Sequence, residues 1–202
     1  MEKQRLEDNV NGITAYLGNF NISGSNTING FMDLEISVKE YLMSVASEDK
    51  IASSLKMVLF DKNINNSIHK LSYKDKKKIQ LAYALCKKEK TLVFEYFDKG
   101  LTLKEKNYFK KLIKRFKEYQ FNIIIHTNDV VFLFDLVDHI YIVKNDNIIP
   151  LSIVDFYSEN LYEYVECPRI VEFVIFCKNN NINLDNYTDN KELIKAIFRM
   201  VS

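Results

Sequence analysis

The side chains with a type and setting suited to chemistry fall at a few joints of this 202-residue chain. Glu95 ends a short apolar run, Thr91 to Glu95 (TLVFE). A carboxylate at the carboxyl end of a buried strand can point into a ligand crevice and hold a metal ion. It can equally do no more than end the strand, and spacing alone leaves both readings standing. His126, Thr127, Asn128 and Asp129 form a second joint, after the run Phe121 to Ile125. A third candidate is the stretch Gly18 to Gly30, dense in Gly, Asn and Ser, which follows the strand-like Ile13 to Leu17. A strand running into a Gly-containing loop is how a phosphate cradle begins. Such a cradle needs a Lys for the β- and γ-phosphates and a Ser or Thr hydroxyl for Mg²⁺. No Lys lies between Gly18 and Met32. Ser23, Gly24, Ser25, Asn26 and Thr27 stand where the motif would finish, and by themselves they read as an ordinary polar loop. His69 lies in the polar connector Asp61 to Lys70 and reads as a solvated side chain. Cys86, Cys167 and Cys177 lack the spacing of a metal site and read as reduced thiols, Cys167 and Cys177 in apolar company.

The elements that must position these residues are most legible from Leu71 to Ile149. Ser72 with Asp75 reads as a capping box that opens a helix, with Ile79, Ala82, Tyr83 and Cys86 on one face. Lys76, Lys77 and Lys87 read as its solvated face. TLVFE reads as a buried parallel strand. Thr102 and Glu105 form a second box, and Tyr108, Phe109, Leu112, Ile113 and Phe116 make a clean helical stripe backed by Lys110, Lys111, Lys114 and Lys117. Phe121 to Ile125 is the next strand. A helix with apolar Val130 to Phe134 follows, then a strand from His139 to Val143. After a turn at Asn145 to Asn147, Ile148 and Ile149 open a returning strand. Strand, helix, strand, helix, strand at this spacing predicts a parallel α/β sheet. Upstream, Leu34 to Val45 reads as a helix and Ile51 to Phe60 as a short apolar segment.

Composition bounds the function. The chain is 47% hydrophobic, with 5 Gly, 2 Pro and no Trp, which is ordinary for one globular domain with a small appendage. A net charge of +1 gives no global field for nucleic acid or an anionic membrane, so no nucleic-acid partner is expected. The charged start MEKQRLEDN lacks the apolar core of a signal peptide, and no apolar run reaches the ~18 residues of a membrane span. A cytoplasmic protein, or one held at the inner face of the membrane through a partner, is the expectation.

Over Leu71 to Ile149, LSYKDKKKIQLAYALCKKEKTLVFEYFDKGLTLKEKNYFKKLIKRFKEYQFNIIIHTNDVVFLFDLVDHIYIVKNDNII resembles the second half of an ABC-transporter ATPase domain. That family has an LSGGQ helix start, a strand ending in Asp-Glu, a D-loop Asp after Gly-Leu, and a switch His. In the resemblance Leu71 and Ser72 match the signature, while Tyr73, Lys74 and Asp75 replace its glycines and Gln. Ala82, Ala84 and Leu85 match the ARAL that follows. Glu95 takes the place of the Mg²⁺-organising Asp and Tyr96 that of the catalytic Glu. Thr102 follows Gly100-Leu101 at the D-loop Asp position, and Asn128 replaces the switch His, with His126 two residues early. ITAYLGNFNISGSNTI is similar to the strand and Walker A loop, with Gly18 at its start. Ser25 then stands where Lys belongs, Asn26 where the Mg²⁺-binding Ser belongs, and Thr27 follows. A competing register makes TAYLGNF the Q-loop strand, with Asn19 for Gln and no Walker A. About 44 residues separate Thr27 from Leu71, so the resemblance implies a reduced helical subdomain. The tail from Cys167 to Met200 is similar to the helical C-terminal extension of energy-coupling-factor (cobalt and vitamin type) transporter ATPases. Pro168 opens one helix there, with Val171, Phe173, Val174 and Phe176. Asp189 and Glu192 cap the last.

The resemblance implies a P-loop NTPase-like α/β fold over 1–150 and a helical extension over 151–202. In intact relatives ATP and Mg²⁺ are the cofactors. Here none is expected, because the Walker A Lys, catalytic Glu and switch His are all replaced. A phenol ionises near pKa ~10 and cannot serve as a carboxylate base near neutral pH. The implied role is a non-catalytic subunit or regulator, heterodimeric with an intact ABC ATPase and associated with a transmembrane permease. The alternative is a weak or unusual ATPase using Glu95 and His126.

Overall fold

A computed structural model describes residues 12–18, 27–145, 147–152, 154–163, 165–187 and 189–201. Ser23, Gly24, Ser25, Asn26 and Asn19 lie outside them. The chain forms two compact units, residues 1–13 with 21–126, and residues 14–20 with 127–202.

In the first unit β2 (Thr27–Ile28), β3 (Thr91–Glu95) and β4 (Asn122–His126) pair side by side, all parallel. Every residue of β3 has a partner on β4, from Thr91 opposite Asn122 to Glu95 opposite His126. β4 is displaced one residue from the predicted Phe121–Ile125. The Phe121 ring instead packs on Phe116, at 5.3 Å between centroids, where α4 ends. The helices are α1 (Val38–Met43), α2 (Glu48–Met57), α3 (Tyr73–Lys87) and α4 (Leu103–Glu118). α1 is shorter than the predicted Leu34–Val45 because Ser37 and Glu40 close a reciprocal capping box at its start. Thr102 and Glu105 do the same for α4. At α3 the closure is one-sided: the Ser72 hydroxyl accepts from the Asp75 amide, and the Asp75 carboxylate reaches only as far as that hydroxyl, at 2.7 Å. Phe94, Phe97 and Phe109 stack edge to face at 5.0 and 4.9 Å, joining β3, the turn after it, and α4 through apolar burial.

The predicted solvated lysine face of α3 is corrected at Lys77, which is 1% exposed. A 15-residue helix on a small sheet is covered on more than one side, so a long Lys stem can be buried if its head finds acceptors. Lys77 Nζ donates to the carbonyls of Tyr96 and Lys99. Its neighbour Lys78, also buried, donates to the Leu59 carbonyl at 3.0 Å and to Glu105 at 2.9 Å.

In the second unit β1 (Ile13–Leu17) runs parallel to β5 (His139–Lys144), and β6 (Asn147–Leu151) returns antiparallel to β5. The pairings within the two units are thus parallel except for this hairpin, as the sequence pattern predicts. α5 (Val130–Leu133), α6 (Arg169–Asn179) and α7 (Asn190–Val201) complete the unit. Pro168 precedes α6, and the Asp189 carboxylate accepts from the Lys191 and Glu192 amides at the start of α7. α6 buries Ile170, Val171, Val174 and Cys177. Phe173 and Phe176, predicted to share the apolar face, are exposed instead. Helical geometry puts Phe173 and Phe176 three apart on the side away from Ile170 and Val174. Cys167 is half-buried rather than fully buried.

Candidate functional site

In the first unit the candidate residues gather at the carboxyl ends of β3 and β4. Parallel register sets Glu95 directly beside His126. The Glu95 Oε1 lies 3.7 Å from His126 Nδ1, and its Oε2 accepts from the Asn29 side-chain amide at 3.3 Å. His126 is fully buried, and its ring rests 4.6 Å from that of Tyr96. Among the described residues no group of three or more His, Cys, Asp or Glu side chains could hold a metal ion.

Asn29 and its neighbour Gln80 were not singled out by the sequence. Gln80 Oε1 accepts from the backbone amides of Asn29 at 3.0 Å and Gly30 at 2.7 Å, and Asn29 Oδ1 accepts from the Phe31 amide at 2.9 Å. These bonds tie the end of β2 to α3 and to Glu95. β2 has two residues, too short for any period-2 pattern to show, and Gln80 sits in a lysine-rich helix.

Tyr96 follows Glu95 with φ +46°, a left-handed conformation uncommon for an aromatic residue. Its amide donates to the His126 carbonyl at 2.7 Å, and its own carbonyl accepts from Lys77. Burial pushes the Tyr96 phenol above its ordinary value, and the charges of Glu95 and Asp98 push the same way. The phenol therefore stays protonated at neutral pH. Lys77 moves in the opposite sense. Burial lowers its amine to about 8 against the pull of Asp98, with Lys99 adding to the lowering.

Ser72 and Thr102 serve as helix caps, and Lys74 and Lys78 from α3 both reach Glu105, the capping partner of Thr102, at 3.3 and 2.9 Å. Burial works to raise the Glu105 carboxyl. The Thr102 amide, Lys78, the Thr102 hydroxyl and Lys74 outweigh it and hold the group down at about 2. Thr27 lies in β2.

In the second unit, Gly18 and Asn128 meet. The Asn128 Oδ1 accepts from the Gly18 amide at 3.2 Å. A Cβ on Gly18 would stand 2.6 Å from the Val143 carbonyl oxygen, and φ there is +109°, so the backbone of β5 alone requires glycine at this position. Asp129 caps α5 by accepting from the Phe132 amide at 2.9 Å.

No family model matches the chain, and no curated protein matches it. Solved structures do. CbiO1 from Clostridium perfringens, part of the ABC transporter complex cbiONQ, superposes with a TM-score of 0.57 over 81% of this chain and 87% of its own, at 18% identity. An ABC transporter of metal-chelate type, in an inward-facing conformation, superposes with a TM-score of 0.60 over 76% of this chain and 77% of its own, at 13% identity. At such identities a superposition speaks for architecture and not for activity. The chain has the fold of an ABC-transporter ATPase domain, a mostly parallel P-loop NTPase-type sheet flanked by helices with further helices at its C-terminal end.

Proposed function

We propose that this chain is a non-catalytic, ABC-ATPase-like subunit or regulator of a transporter of the energy-coupling-factor kind. The observation that carries the reading is the engagement of Glu95. Its two carboxylate oxygens face Asn29 and His126, so the acid that would organise Mg²⁺ in an active relative is already held by protein groups. Three further features support it. Tyr96, at the catalytic Glu position, bears a phenol shifted away from base function. Asn128, at the switch His position, cannot accept and return a proton, and it caps the Gly18 amide. Thr27 continues as a strand, where a phosphate loop runs into a helix whose amides face the anion.

The described residues do not fit ATP with Mg²⁺, and no step is derived through them. An intact ABC ATPase would supply the hydrolytic residues of a heterodimer, and a permease would bring the pair to the membrane. Among the described residues no helix is long and apolar enough to cross a bilayer, which accords with a peripheral position through such partners.

The test is a titration of purified chain with Mg²⁺ and a fluorescent ATP analogue, with phosphate release measured in parallel. The expected result is no saturable binding and no release above background. Tight binding that Glu95→Gln abolishes would overturn the reading in favour of an unusual ATPase built on Glu95 and His126. Co-expression with an intact ABC ATPase and a permease tests the subunit role, which predicts a complex that survives purification.

A further inference from the structure

The outer face of α4 belongs to no part of the candidate site. The helix carries seven basic residues (Lys104, Lys106, Lys110, Lys111, Lys114, Arg115, Lys117) against two acidic ones, five positive charges in excess within a chain whose total is +1. One side of α4 is packed through Phe109, Leu112, Ile113 and Phe116. The opposite side presents Lys104, Lys111, Lys114 and Arg115 to solvent along a helix about 24 Å long. The two acids do not cancel this face: Glu105 is bound to Lys74 and Lys78 at one end, and Glu118 is a single charge at the other. Lys88 and Lys90, also exposed, extend the positive surface. They precede β3, so they lie with the end of α4 at the amino edge of the strands, away from Glu95 and His126. Two large apolar side chains bracket the run, Leu103 at 74% exposure and Tyr119 at 65%.

We propose that this face docks directly on an anionic lipid surface. A row of basic groups spread over a flat helix matches a plane of phosphate-bearing headgroups. The bracketing Leu and Tyr favour a bilayer over nucleic acid: an aliphatic side chain has no use on a phosphate backbone, while Leu and Tyr both settle at the headgroup boundary. The apolar side of α4 stays in the core, so the helix lies on the surface and does not insert. Each basic group near such a surface strengthens binding about fivefold, and the attraction is screened within a Debye length. The docking is therefore weak, reversible and salt-sensitive. It is independent of the subunit reading, since it needs no partner protein and no nucleotide.

The experiment is co-sedimentation of the full chain with vesicles of phosphatidylcholine alone and of phosphatidylcholine with 30–40% phosphatidylserine, roughly the anionic content of a strongly charged leaflet. Binding is expected only to the anionic vesicles at about 0.1 M salt, and it is lost near 0.5 M. The triple variant Lys111→Glu, Lys114→Glu, Arg115→Glu alters exposed positions only, and it is expected to bind at least about 100-fold more weakly. Leu103→Ser with Tyr119→Ser weakens binding while keeping its salt dependence. Equal binding to both vesicle types, an unchanged triple variant, or duplex DNA displacing the chain from vesicles at equal phosphate concentration would each overturn the proposal. A triple variant that loses its circular-dichroism spectrum is replaced by the Leu103→Ser/Tyr119→Ser protein and by the salt series on the unmodified chain, which decide the question by themselves.

Discussion

Replacing Lys77 by Met should change how stability depends on pH, in a direction fixed by the burial of the amine. Lys77 is 1% exposed and its amine is lowered from 10.5 to about 8. Between those values the unfolded chain holds a proton that the folded chain has released, so folding stability rises with pH across that window. Below about pH 8 both states carry the proton and the burial cost is constant. At about 1.4 kcal/mol per pH unit the full effect is of order 3 kcal/mol, and between pH 7.5 and 10 about 2 kcal/mol of it should emerge. Lys77→Met keeps most of the stem volume and removes the titration. It also leaves the carbonyls of Tyr96 and Lys99 without their donor, a cost that does not vary with pH. Urea unfolding of both proteins at half-unit steps from pH 7.5 to 10 gives the comparison. The buried tyrosines, among them Tyr41 and Tyr157 at about 12, pull stability down at the alkaline end, but they are common to both proteins and cancel. The difference between wild type and Lys77→Met should tilt by about 2 kcal/mol in favour of wild type as pH rises. Two parallel profiles would refute the placement of a titrating amine beneath the turn after β3.

Glu105→Gln should destabilise the chain by about 3 kcal/mol at pH 7, because it strands buried Lys78 and breaks the α4 capping box. The Glu105 carboxyl is held at about 2, so this contribution is present above its ordinary value of 4.5 and is lost as pH falls from there toward 2; acid unfolding of wild type and variant should converge in that range. Gly18→Ala should lower the melting temperature by the equivalent of about 2 kcal/mol or more, since the added methyl meets the Val143 carbonyl at a positive φ; a neutral substitution would contradict that close approach. Asn128→Ala should speed hydrogen exchange at the Gly18 amide by about tenfold with little change in global stability, read by amide exchange and denaturant titration together. Tyr96→Glu combined with Asn128→His, which restores two residues of active relatives, should still release no phosphate above background, because Glu95 remains engaged by Asn29 and His126.

The strands and helices from Ser72 onward were readable because their signals are local. Capping residues, a four-turn apolar stripe and two apolar runs of five residues each sit within one element. β2 escaped because two residues carry no period, and it acquires its identity only from its register with Val93 and Phe94. The burial of Lys77 escaped for a related reason. Helical spacing tells which residues share a face, but not how many faces a small unit covers. The bonds that retain the amine come from carbonyls about 20 positions away, at Tyr96 and Lys99. The exposure of Phe173 and Phe176 is the same ambiguity with the opposite outcome.

The residues shared with active relatives were the most persuasive part of the sequence, and the structure gives several of them reasons that involve no nucleotide. Gly18 is required by the Val143 carbonyl. Ser72 accepts from the Asp75 amide as any N-cap does. Gly100 has φ +82°, so the turn after Tyr96 needs it regardless of any partner. Glu95 is bonded by Asn29, whose own amide is bonded by Gln80, so a carboxylate at that strand end completes a network reaching from β2 to α3. In such a scaffold, substitution at positions that only reacted with substrate, such as Tyr96 and Asn128, meets little resistance from folding. Substitution at positions that also hold backbone does. The residues that persist are thus those with a second, structural use, and their persistence measures the demands of the fold rather than the survival of the chemistry.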